Sequence, residues 1–417
     1  MKLPPRTREE FLAARAKADL LLRAYRTMGY DAVLPGEEDF LFGIPFLRDQ
    51  EKKGVPFVCL NLVVARTGKP LFPPHRRFSR GNADVLVTGL VGANVFPKAL
   101  LARLGLRVLP PAEALASLLG GRETDAGVTI VLSHQGVAED LALARRANRP
   151  LLILGAHSRT EVWTAEQGAG SILSVPRGKG MVLQETAVGP VSGASGKRPA
   201  PFADGTVAAQ YEETRRRLDA GRATMDRRER ELAGRTLEGL KKLLTVPEGK
   251  RLATPRSHTL DETVPDDPRM VRMIGEYKKA LERIAAGADH RSSGMGAYRG
   301  HGSCAPCHPD NHAEWRREKH AGAYGTLVRQ GDGGNPDCLP CHVTGYGKGG
   351  YRFAAPGGEK DLEAVGCESC HGPGEGHPGR KMAVPGEPVC LSCHGGLGPF
   401  PFTEKRRLLG CVRVNAG

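Results

Sequence analysis

The sequence is poor in aromatic side chains, because phenylalanine, tyrosine and tryptophan make up only 5% of its 417 residues. Charge is abundant, since 60 basic residues against 46 acidic ones give a formal net charge of +14. A positive surface favours acidic partners of any kind. Single-stranded nucleic acids are bound on aromatic rings that stack with the bases, and no basic stretch here is interleaved with such rings. Nucleic acid is therefore not expected as a partner.

Long apolar segments are also missing. No run reaches the roughly 18 to 20 consecutive apolar residues that a transmembrane helix needs, so no integral membrane span is expected. Residues 1–10 are charged and lack the apolar stretch of a secretory signal peptide. The length and the hydrophobic content of 40% are those of a globular chain with two or three domains.

Cysteine is present in a repeated arrangement. The chain has 10 cysteines, and eight of them form four copies of one pattern, a Cys-x-x-Cys pair followed directly by histidine. The copies are Cys304, Cys307 and His308; Cys338, Cys341 and His342; Cys367, Cys370 and His371; and Cys390, Cys393 and His394. Two thiols at this spacing can each form a thioether with a vinyl group of haem, and the adjacent histidine then reaches the iron as its proximal ligand. The pattern predicts four covalently bound c-type haems.

Zinc knuckles and disulfides of an exported domain are the alternative interpretations of these cysteines. A zinc site uses two cysteine pairs for each ion and does not require a histidine directly after each pair, so the haem interpretation is favoured. The other two cysteines lie outside the pattern. Cys59, in an apolar run, is expected to be a small core residue, and Cys411, in an irregular tail, has no predicted partner.

The N-terminal half alternates between helix and strand patterns. Residues 12–28 have helical spacing, and residues 139–147 predict another helix. Short apolar runs, rich in valine, leucine and isoleucine, predict strands buried in an α/β fold. These runs are residues 57–65, 85–90, 128–132 and 151–154. A loop rich in glycine, proline and serine at residues 189–205 marks the end of this domain.

The C-terminal half divides into a linker and a second domain. Residues 206–251 are strongly charged with a helical pattern, and residues 267–286 predict a shorter helix. The segment between residues 304 and 394 has little periodicity, so the haems are expected to form its core, wrapped by loops and short helices. The predicted organisation is an α/β domain at 1–190, a loop and charged helical linker at 191–290, and a mostly coil and helix multihaem domain at 291–417.

Several motifs of the N-terminal half resemble those of a known family. Ser133-His134-Gln135-Gly136 follows one predicted strand, and Gly155-Ala156-His157-Ser158-Arg159 follows the next. Together with residues 29–33, 57–61 and 67–72, they resemble the metallophosphoesterase domain of 5′-nucleotidases over about residues 10–190. The resemblance implies a four-layer α/β sandwich, lacking its N-terminal part, with a two-metal site at the strand ends.

The metal-binding motifs of that family are only partly present. Its Asp-x-His and Gly-Asp motifs, which lie upstream in the family, are absent from residues 1–35, and its Gly-Asn-His-Glu motif falls on Gly36-Glu37-Glu38-Asp39. His134 and His157 match ligands, whereas Arg159 replaces a second histidine. Because a two-metal hydrolase needs both ions, the site is expected to be degenerate. The alternatives are that the three carboxylates of residues 37–39 hold one Mg²⁺ or Mn²⁺, or that they form a solvated polar turn.

Residues 298 to about 405 resemble the tetrahaem cytochrome c-554 family. The shared residues are Tyr298 and Gly300, Trp315, His320-Ala321, residues 341–345, residues 365–374 and His377. The resemblance implies four haems, most of them with two histidine ligands, and in some members one five-coordinate iron. The histidines that it offers as second axial ligands are His320, His377, His301 and His312. Met295 and Met382 compete as axial ligands.

The end of this region differs from the family. Members often carry a further histidine after a Phe-x-x-Glu-Lys pattern, which is seen here at residues 402–405. No histidine follows it in this sequence. The fourth haem is therefore expected to lack a sixth ligand.

Attachment of c-type haem takes place outside the cytoplasm, so the protein is expected in the periplasm or another extracytoplasmic location. Because residues 1–10 do not resemble a leader, the natural chain is expected to begin upstream of Met1. The expected function is electron transfer between extracytoplasmic redox proteins. The first alternative is a redox enzyme that acts on a small nitrogen, oxygen or sulfur species at a five-coordinate haem. The second is a hydrolase of phosphoesters or nucleotides with a remnant metal site.

When the chain is matured in an exporting host that has haem-ligation machinery, we expect one covalent haem on each of the four motifs. A pyridine haemochrome assay against protein concentration, together with the mass of the acid-denatured chain, measures the number. Two haems or fewer on well-matured protein would contradict the prediction.

Overall fold

The structure of the chain is a computed structural model, and the residues that it describes are 7–80, 83–121, 126–157, 161–176, 182–191, 199–221, 224–244, 248–287, 297–353, 360–395 and 401–402. Two compact units are formed, one by Tyr25–Pro265 and the other by Met1–Ala24 together with Asp266–Gly417. None of the helices in the described residues combines the length and the apolar character needed to cross a membrane.

The first described helix is α1, Arg8–Met28, which corresponds to the helix predicted at residues 12–28. In the unit Tyr25–Pro265, strands and helices then alternate. Its strands are β1 Leu62–Val64, β2 His75–Arg80, β3 Ala83–Val91, β4 Leu106–Val108, β5 Val128–His134, β6 Leu152–Gly155, β7 Val162–Gln167, β8 Ser171–Val175, β9 Val182–Val191, β10 Phe202–Asp204 and β11 Arg251–Thr259. Its helices are α2 Gly43–Lys52, α3 Lys98–Leu104, α4 Pro111–Leu119, α5 Val137–Arg146, α6 Thr206–Gly221 and α7 Arg227–Leu243.

Six strands of this unit form one sheet in the order β2-β3-β5-β6-β8-β7. The strands from β3 to β8 in this order run parallel, and the edge strands β2 and β7 are antiparallel to their neighbours. Parallel strands are covered on both faces, which is why β3, β5 and β6 contain the apolar runs seen in the sequence. In register, Val91 pairs with His134 and Ser133 pairs with Gly155, so the carboxyl ends of β3, β5 and β6 lie at one edge.

Different layers cover the two faces of this sheet. On one face, Leu90 and Ile153 pack with Leu115 of α4 and Leu143 of α5. On the other face, residues of β5, β6 and β8 pack against Phe202 of a three-stranded sheet in the order β10-β11-β9. Helix α6 contacts β11 of that second sheet. The predicted α/β class, with stacked sheets and covering helices, is confirmed.

The residue Cys59 lies in the core of the same unit. Its side chain is completely buried, and burial raises the pKa of its thiol to about 12. The prediction that it is a small core residue is confirmed. Cys411 lies outside the described residues.

The sequence patterns do not predict several strands of this unit. β2 contains His75, Arg76 and Arg77, because an edge strand with solvent on one side needs no apolar run. β10 and β11 lie within residues 191–290, which the sequence presents as a loop and a helical linker. β11 pairs in parallel with β10 and antiparallel with β9, so these residues belong to a sheet. The remainder of that segment, from Asp266 onward, belongs to the other compact unit.

The unit formed by Met1–Ala24 and Asp266–Gly417 contains helices and loops. Besides most of α1, its helices are α8 Pro268–Ala286, α9 Pro309–Trp315, α10 Ala323–Gln330, α11 Leu339–His342, α12 Cys367–His371 and α13 Glu387–His394. Helix α8 begins as the sequence predicts. The side chain of Asp267 caps it by accepting a hydrogen bond from the backbone N–H of Arg269, with Pro268 in the first turn. The predicted coil and helix character of this region is confirmed.

A small apolar core is present in this unit. Leu339, inside the second Cys-x-x-Cys-His motif, and Val343, directly after it, pack with Leu327, Tyr351 and Leu362. The sequence does not predict this core, because its members come from short, separate segments without helical or strand periodicity. Protein side chains therefore pack around at least one of the predicted haem sites.

Replacing Leu90 by alanine is expected to lower the free energy of unfolding of the α/β unit by about 2–5 kcal/mol, because this side chain is completely buried between the sheet and the helices. The control is Leu183→Ala in β9, where the side chain is 56% exposed and the change should be about 0.5 kcal/mol or less. Denaturant unfolding followed by circular dichroism measures both variants. Equal effects would contradict the assigned core.

Candidate haem and metal sites

The Cys-x-x-Cys-His motifs lie on or beside short helices. The second motif forms α11 with Cys338 as its N-cap, the third forms α12, and the fourth ends α13. The first lies between a 3₁₀ helix, His301–Cys304, and α9. In a helical turn, residues three and four positions apart share one face, so the two thiols and the histidine of a motif can face one planar group.

The thiols of the motifs are not joined by disulfide bonds. Seven of the eight are half-buried, and Cys307 is exposed. Among the described residues, one cluster of three side chains has its potential metal ligands close enough to share an ion, and it contains no cysteine. The disulfide and zinc interpretations therefore find no support in the geometry, and the thiols remain available for thioether bonds.

Three histidines of this unit donate a hydrogen bond from Nδ1 to a backbone carbonyl oxygen. His342 donates to Ala323 O at 2.9 Å, and His371 donates to Ala383 O at 2.8 Å. His377 donates to the carbonyl oxygen of Arg380 at 3.0 Å. A carbonyl oxygen only accepts, so Nδ1 carries the proton and Nε2 keeps its lone pair for a metal.

Two pairs of histidine rings lie close to each other. The ring centres of His308 and His377 are 6.1 Å apart with planes inclined by 26°. Those of His320 and His394 are 6.2 Å apart with planes inclined by 63°. A metal bound by two opposed imidazoles at about 2 Å from each nitrogen separates the ring centres by about 6 Å. Each pair joins a motif histidine to a histidine from a distant segment.

The electrostatic setting of His320 favours its neutral form. Burial lowers the pKa of its imidazole, and the neighbouring His394 lowers it further. A histidine must be deprotonated to bind a metal, so a lowered pKa favours the ligand form near neutral pH.

The other two predicted ligands, His301 and His312, lie against each other. His301 Nδ1 is 3.1 Å from His312 Nε2, and both rings contact Trp315. His301 Nε2 is also 3.8 Å from a carboxylate oxygen of Asp361. Burial lowers the pKa of His301, and Asp361 opposes that shift. The ring contacts of the described residues thus bring these two histidines to each other and not to a motif histidine.

The second and fourth motifs lie close together. Helices α11 and α13 contact each other. Burial, together with the neighbouring thiol of Cys393, raises the pKa of Cys341 to about 11. The thiol is therefore neutral near pH 7.

Among the competing methionines, Met295 lies outside the described residues, as do residues 403–405 of the predicted C-terminal pattern.

A separate cluster lies in the α/β unit at the carboxyl end of β5. His134 is the last residue of β5, His157 follows β6, and Glu37 begins a 3₁₀ helix, Glu37–Phe42. His134 Nε2 is 2.7 Å from Glu37 Oε2, and the two histidine ring centres are 5.0 Å apart. The potential ligand atoms of the three residues all lie within 4.8 Å of one another.

The backbone around this cluster is adapted to the close approach. A Cβ atom at Gly36 would lie 3.1 Å from His134 Nε2, so glycine allows Glu37 to reach the histidine. His157 has φ of 62°, a left-handed conformation that is uncommon outside glycine and often found at functional sites. Behind His134, the buried carboxylate of Asp140 accepts hydrogen bonds from Ser133 Oγ and Gln135 Nε2. These contacts hold the residues on both sides of His134.

Of the three carboxylates in the altered motif, only Glu37 joins the histidines. The side chain of Asp39 accepts a hydrogen bond from Gly36 N at 2.7 Å and so caps the 3₁₀ helix, while Glu38 is exposed. Arg159 lies outside the described residues. Two imidazoles and one carboxylate are a donor set suited to one ion such as Zn²⁺, Mn²⁺ or Fe²⁺. The sequence offered each of these residues separately, and the parallel register of β5 and β6 is the signal that places both histidines at one sheet edge.

Comparison with protein families supports the assignment of the C-terminal motifs. Residues 303–372 match the family model described as cytochrome c554 and c-prime. The match spans the first three Cys-x-x-Cys-His motifs and confirms the resemblance of this segment to cytochrome c-554. The similarity of this segment to a c-type cytochrome family points to haem as its cofactor.

Several solved structures are similar to this chain. Sulfate thiohydrolase SoxB from Thermus thermophilus is 21% identical, and the match covers 42% of this chain and 33% of SoxB with a TM-score of 0.38. A 5′-nucleotidase precursor from Thermus thermophilus is 16% identical, and the match covers 66% of this chain and 47% of that protein with a TM-score of 0.44. NAD nucleotidase from Haemophilus influenzae is 14% identical, and the match covers 66% of this chain and 49% of that protein with a TM-score of 0.40. The chain thus spans 33–49% of the length of these proteins. The fold class of the unit Tyr25–Pro265 rests on the sheets described above. No curated protein matches the chain.

The cluster of Glu37, His134 and His157 is expected to bind one divalent transition-metal ion per chain. Glu37→Gln should weaken binding by at least about 10- to 100-fold, the loss that even outer partners of a metal ligand typically cause. Isothermal titration with Mn²⁺ and Zn²⁺ measures the affinity and the number of ions. The matched control is Glu38→Gln, which changes the neighbouring exposed carboxylate. Unchanged affinity in Glu37→Gln, or two ions per α/β unit, would contradict the assignment.

Proposed function

We propose that the protein is a tetrahaem c-type cytochrome that transfers electrons between extracytoplasmic redox proteins. The observation that carries the proposal is the opposition of His308 to His377 and of His320 to His394 at 6.1 and 6.2 Å. These distances suit bis-histidine ligation, and each pair contains the histidine of a Cys-x-x-Cys-His motif. When bound, haem supplies one-electron redox chemistry.

The chain's own residues have defined roles in this proposal. The eight motif cysteines would attach the haems covalently, and each motif histidine would hold the metal of its own haem. His377 would hold the first haem together with His308. His320 would hold the fourth haem together with His394, so the fourth haem would not have the open position that the sequence leads us to expect. The Nδ1 hydrogen bonds of His342, His371 and His377 fix these rings in the tautomer whose Nε2 can bind a metal.

Contacts between the motifs support transfer from site to site. The neighbouring thiols of Cys341 and Cys393 bring the attachment points of the second and fourth haems together. Thr344 Oγ1, just after the second motif, is 3.1 Å from Ser369 Oγ within the third. The attachment points are therefore close enough for a chain of haems rather than isolated ones. The formal charge of +14 favours acidic redox partners.

A second candidate function is a redox enzyme that acts on a small nitrogen, oxygen or sulfur species. The observation in its favour concerns His342 and His371, the histidines of the second and third motifs. Within the described residues, neither ring has another histidine ring beside it. A metal held by one axial histidine has an open position at which a small molecule can bind. Hydrolysis of phosphoesters is not proposed, because the cluster of Glu37, His134 and His157 offers a donor set for one ion, and two-metal hydrolysis needs two.

Replacing His320 or His377 with alanine is expected to convert one haem from low spin to high spin, because the metal loses a strong nitrogen ligand. Electron paramagnetic resonance of the oxidised protein measures the spin states, and the haem count of the same sample shows that attachment is intact. The control is His258→Ala, an exposed histidine of β11 in the other unit. If both variants keep the low-spin signal of the wild type, His377 and His320 are not ligands.

A further inference from the structure

The side chain of Glu368 is a buried carboxylate within the third Cys-x-x-Cys-His motif. Glu368 lies between Cys367 and Cys370 in α12 and is only 3% exposed. Burial of a charge is costly unless the group is hydrogen-bonded. Within the described residues, the carboxylate of Glu368 accepts hydrogen bonds from backbone N–H groups and not from a basic side chain.

Both oxygens of this carboxylate accept hydrogen bonds. Oε1 accepts from Arg299 N at 2.9 Å and from Gly374 N at 2.6 Å. Oε2 accepts from Gly300 N at 2.8 Å and from Arg299 N at 3.0 Å. A carboxyl group that accepts on both oxygens has the acceptor pattern of the ionised form. The N–H groups of three residues therefore offset the cost of burying one charge.

The donors belong to two different segments, and each segment leads to one member of a histidine pair. Arg299 and Gly300 lie 69 and 68 positions from Glu368 and precede the 3₁₀ helix of the first motif, which leads to His308. Gly374 begins the turn that carries His377, whose backbone N–H donates to Gly374 O at 3.1 Å. The rings of His308 and His377 are the pair whose centres are 6.1 Å apart.

Glycine makes this close approach feasible on both sides. A Cβ atom at Gly374 would lie 2.9 Å from Glu368 Oε1, a contact that would displace the carboxylate. Gly300 has φ of 82°, a conformation that disfavours other residues, and a Cβ atom there would lie 2.5 Å from the Cβ of Asp361. The negative charge is also felt nearby, because burial and, after it, Glu368 raise the pKa of Tyr298.

We propose that Glu368 is a positioning residue that holds His377 opposite His308, by tying the segments of both histidines to the third motif. The inference rests on the proposed attachment of haem at these motifs. A residue of the third motif thereby controls the axial ligation of the first haem. Glu368 touches neither histidine, and its effect is transmitted through Gly300 and Gly374.

The test is Glu368→Gln in the matured full-length protein. Glutamine has nearly the same shape, but its amide NH₂ would face the backbone N–H donors and remove one acceptor. We expect all four haems to stay attached, while part of one haem population changes from low spin to high spin in the paramagnetic resonance spectrum. Because His377 is displaced and not destroyed, added imidazole should occupy the vacant axial position and restore the low-spin signal.

Two further variants make the result specific. Gly374→Ala pushes on the same carboxylate from the other side and should give the same spin change, so it serves if the glutamine variant does not mature. Glu375→Gln applies the same chemical change to an exposed side chain of the same turn and should leave the spectrum unchanged.

The outcomes separate this inference from the proposed function. If His377→Ala changes the spin state while Glu368→Gln and Gly374→Ala match the Glu375→Gln control, the positioning role is overturned and the ligand assignment stands. If the haem count falls by one without a high-spin signal, Glu368 acts in attachment at its own motif, which also overturns the proposal. If His377→Ala leaves all haems low spin, the ligand assignment fails and the positioning role fails with it.

Discussion

The proposed haem-binding unit depends on histidine pairs whose members are distant in the chain. His308 and His394 belong to the first and the last motif, and each faces a ring from another segment at 6.1 or 6.2 Å. A bond between a metal and a nitrogen is directional, so each pair would specify both the separation and the orientation of two segments. The described residues of this unit form a small apolar core around Leu339 and Val343. Covalent attachment and axial ligation would therefore contribute order that larger domains obtain from packing alone.

Such restraints also explain which parts of the site the sequence predicts. The thioether chemistry confines two cysteines and a histidine to five consecutive positions, so the motifs are visible without any structure. The pairing of His308 with His377 is not visible, because spacing within a motif carries no information about which distant segments meet. In the α/β unit the same limit applies to strands. The apolar runs of β3, β5 and β6 are visible because both faces are covered, whereas β2 and β11 are half exposed and carry arginine and histidine.

His134 and His157 lie at the carboxyl ends of neighbouring parallel strands, where ligands commonly bind. The altered motif places Glu37 in contact with His134 at 2.7 Å. The two atoms of this contact can share a proton or bind one cation, and metal binding would displace the proton between them. A carboxylate also neutralises one of the two charges of a divalent ion, which suits a site with fewer ligands than a two-metal centre.

Each unit buries a carboxylate beside its candidate site, and the two carboxylates do different work. Asp140 accepts hydrogen bonds from Ser133 and Gln135, which flank His134, so its effect is confined to one loop and one histidine. Burial raises its pKa, because side-chain donors compensate the charge only in part. Glu368 accepts from backbone amides up to 69 positions away, so it connects segments that the sequence separates. Backbone amides remain in place when side chains are substituted, so a carboxylate held by them is a suitable fixed point for the segments that it joins.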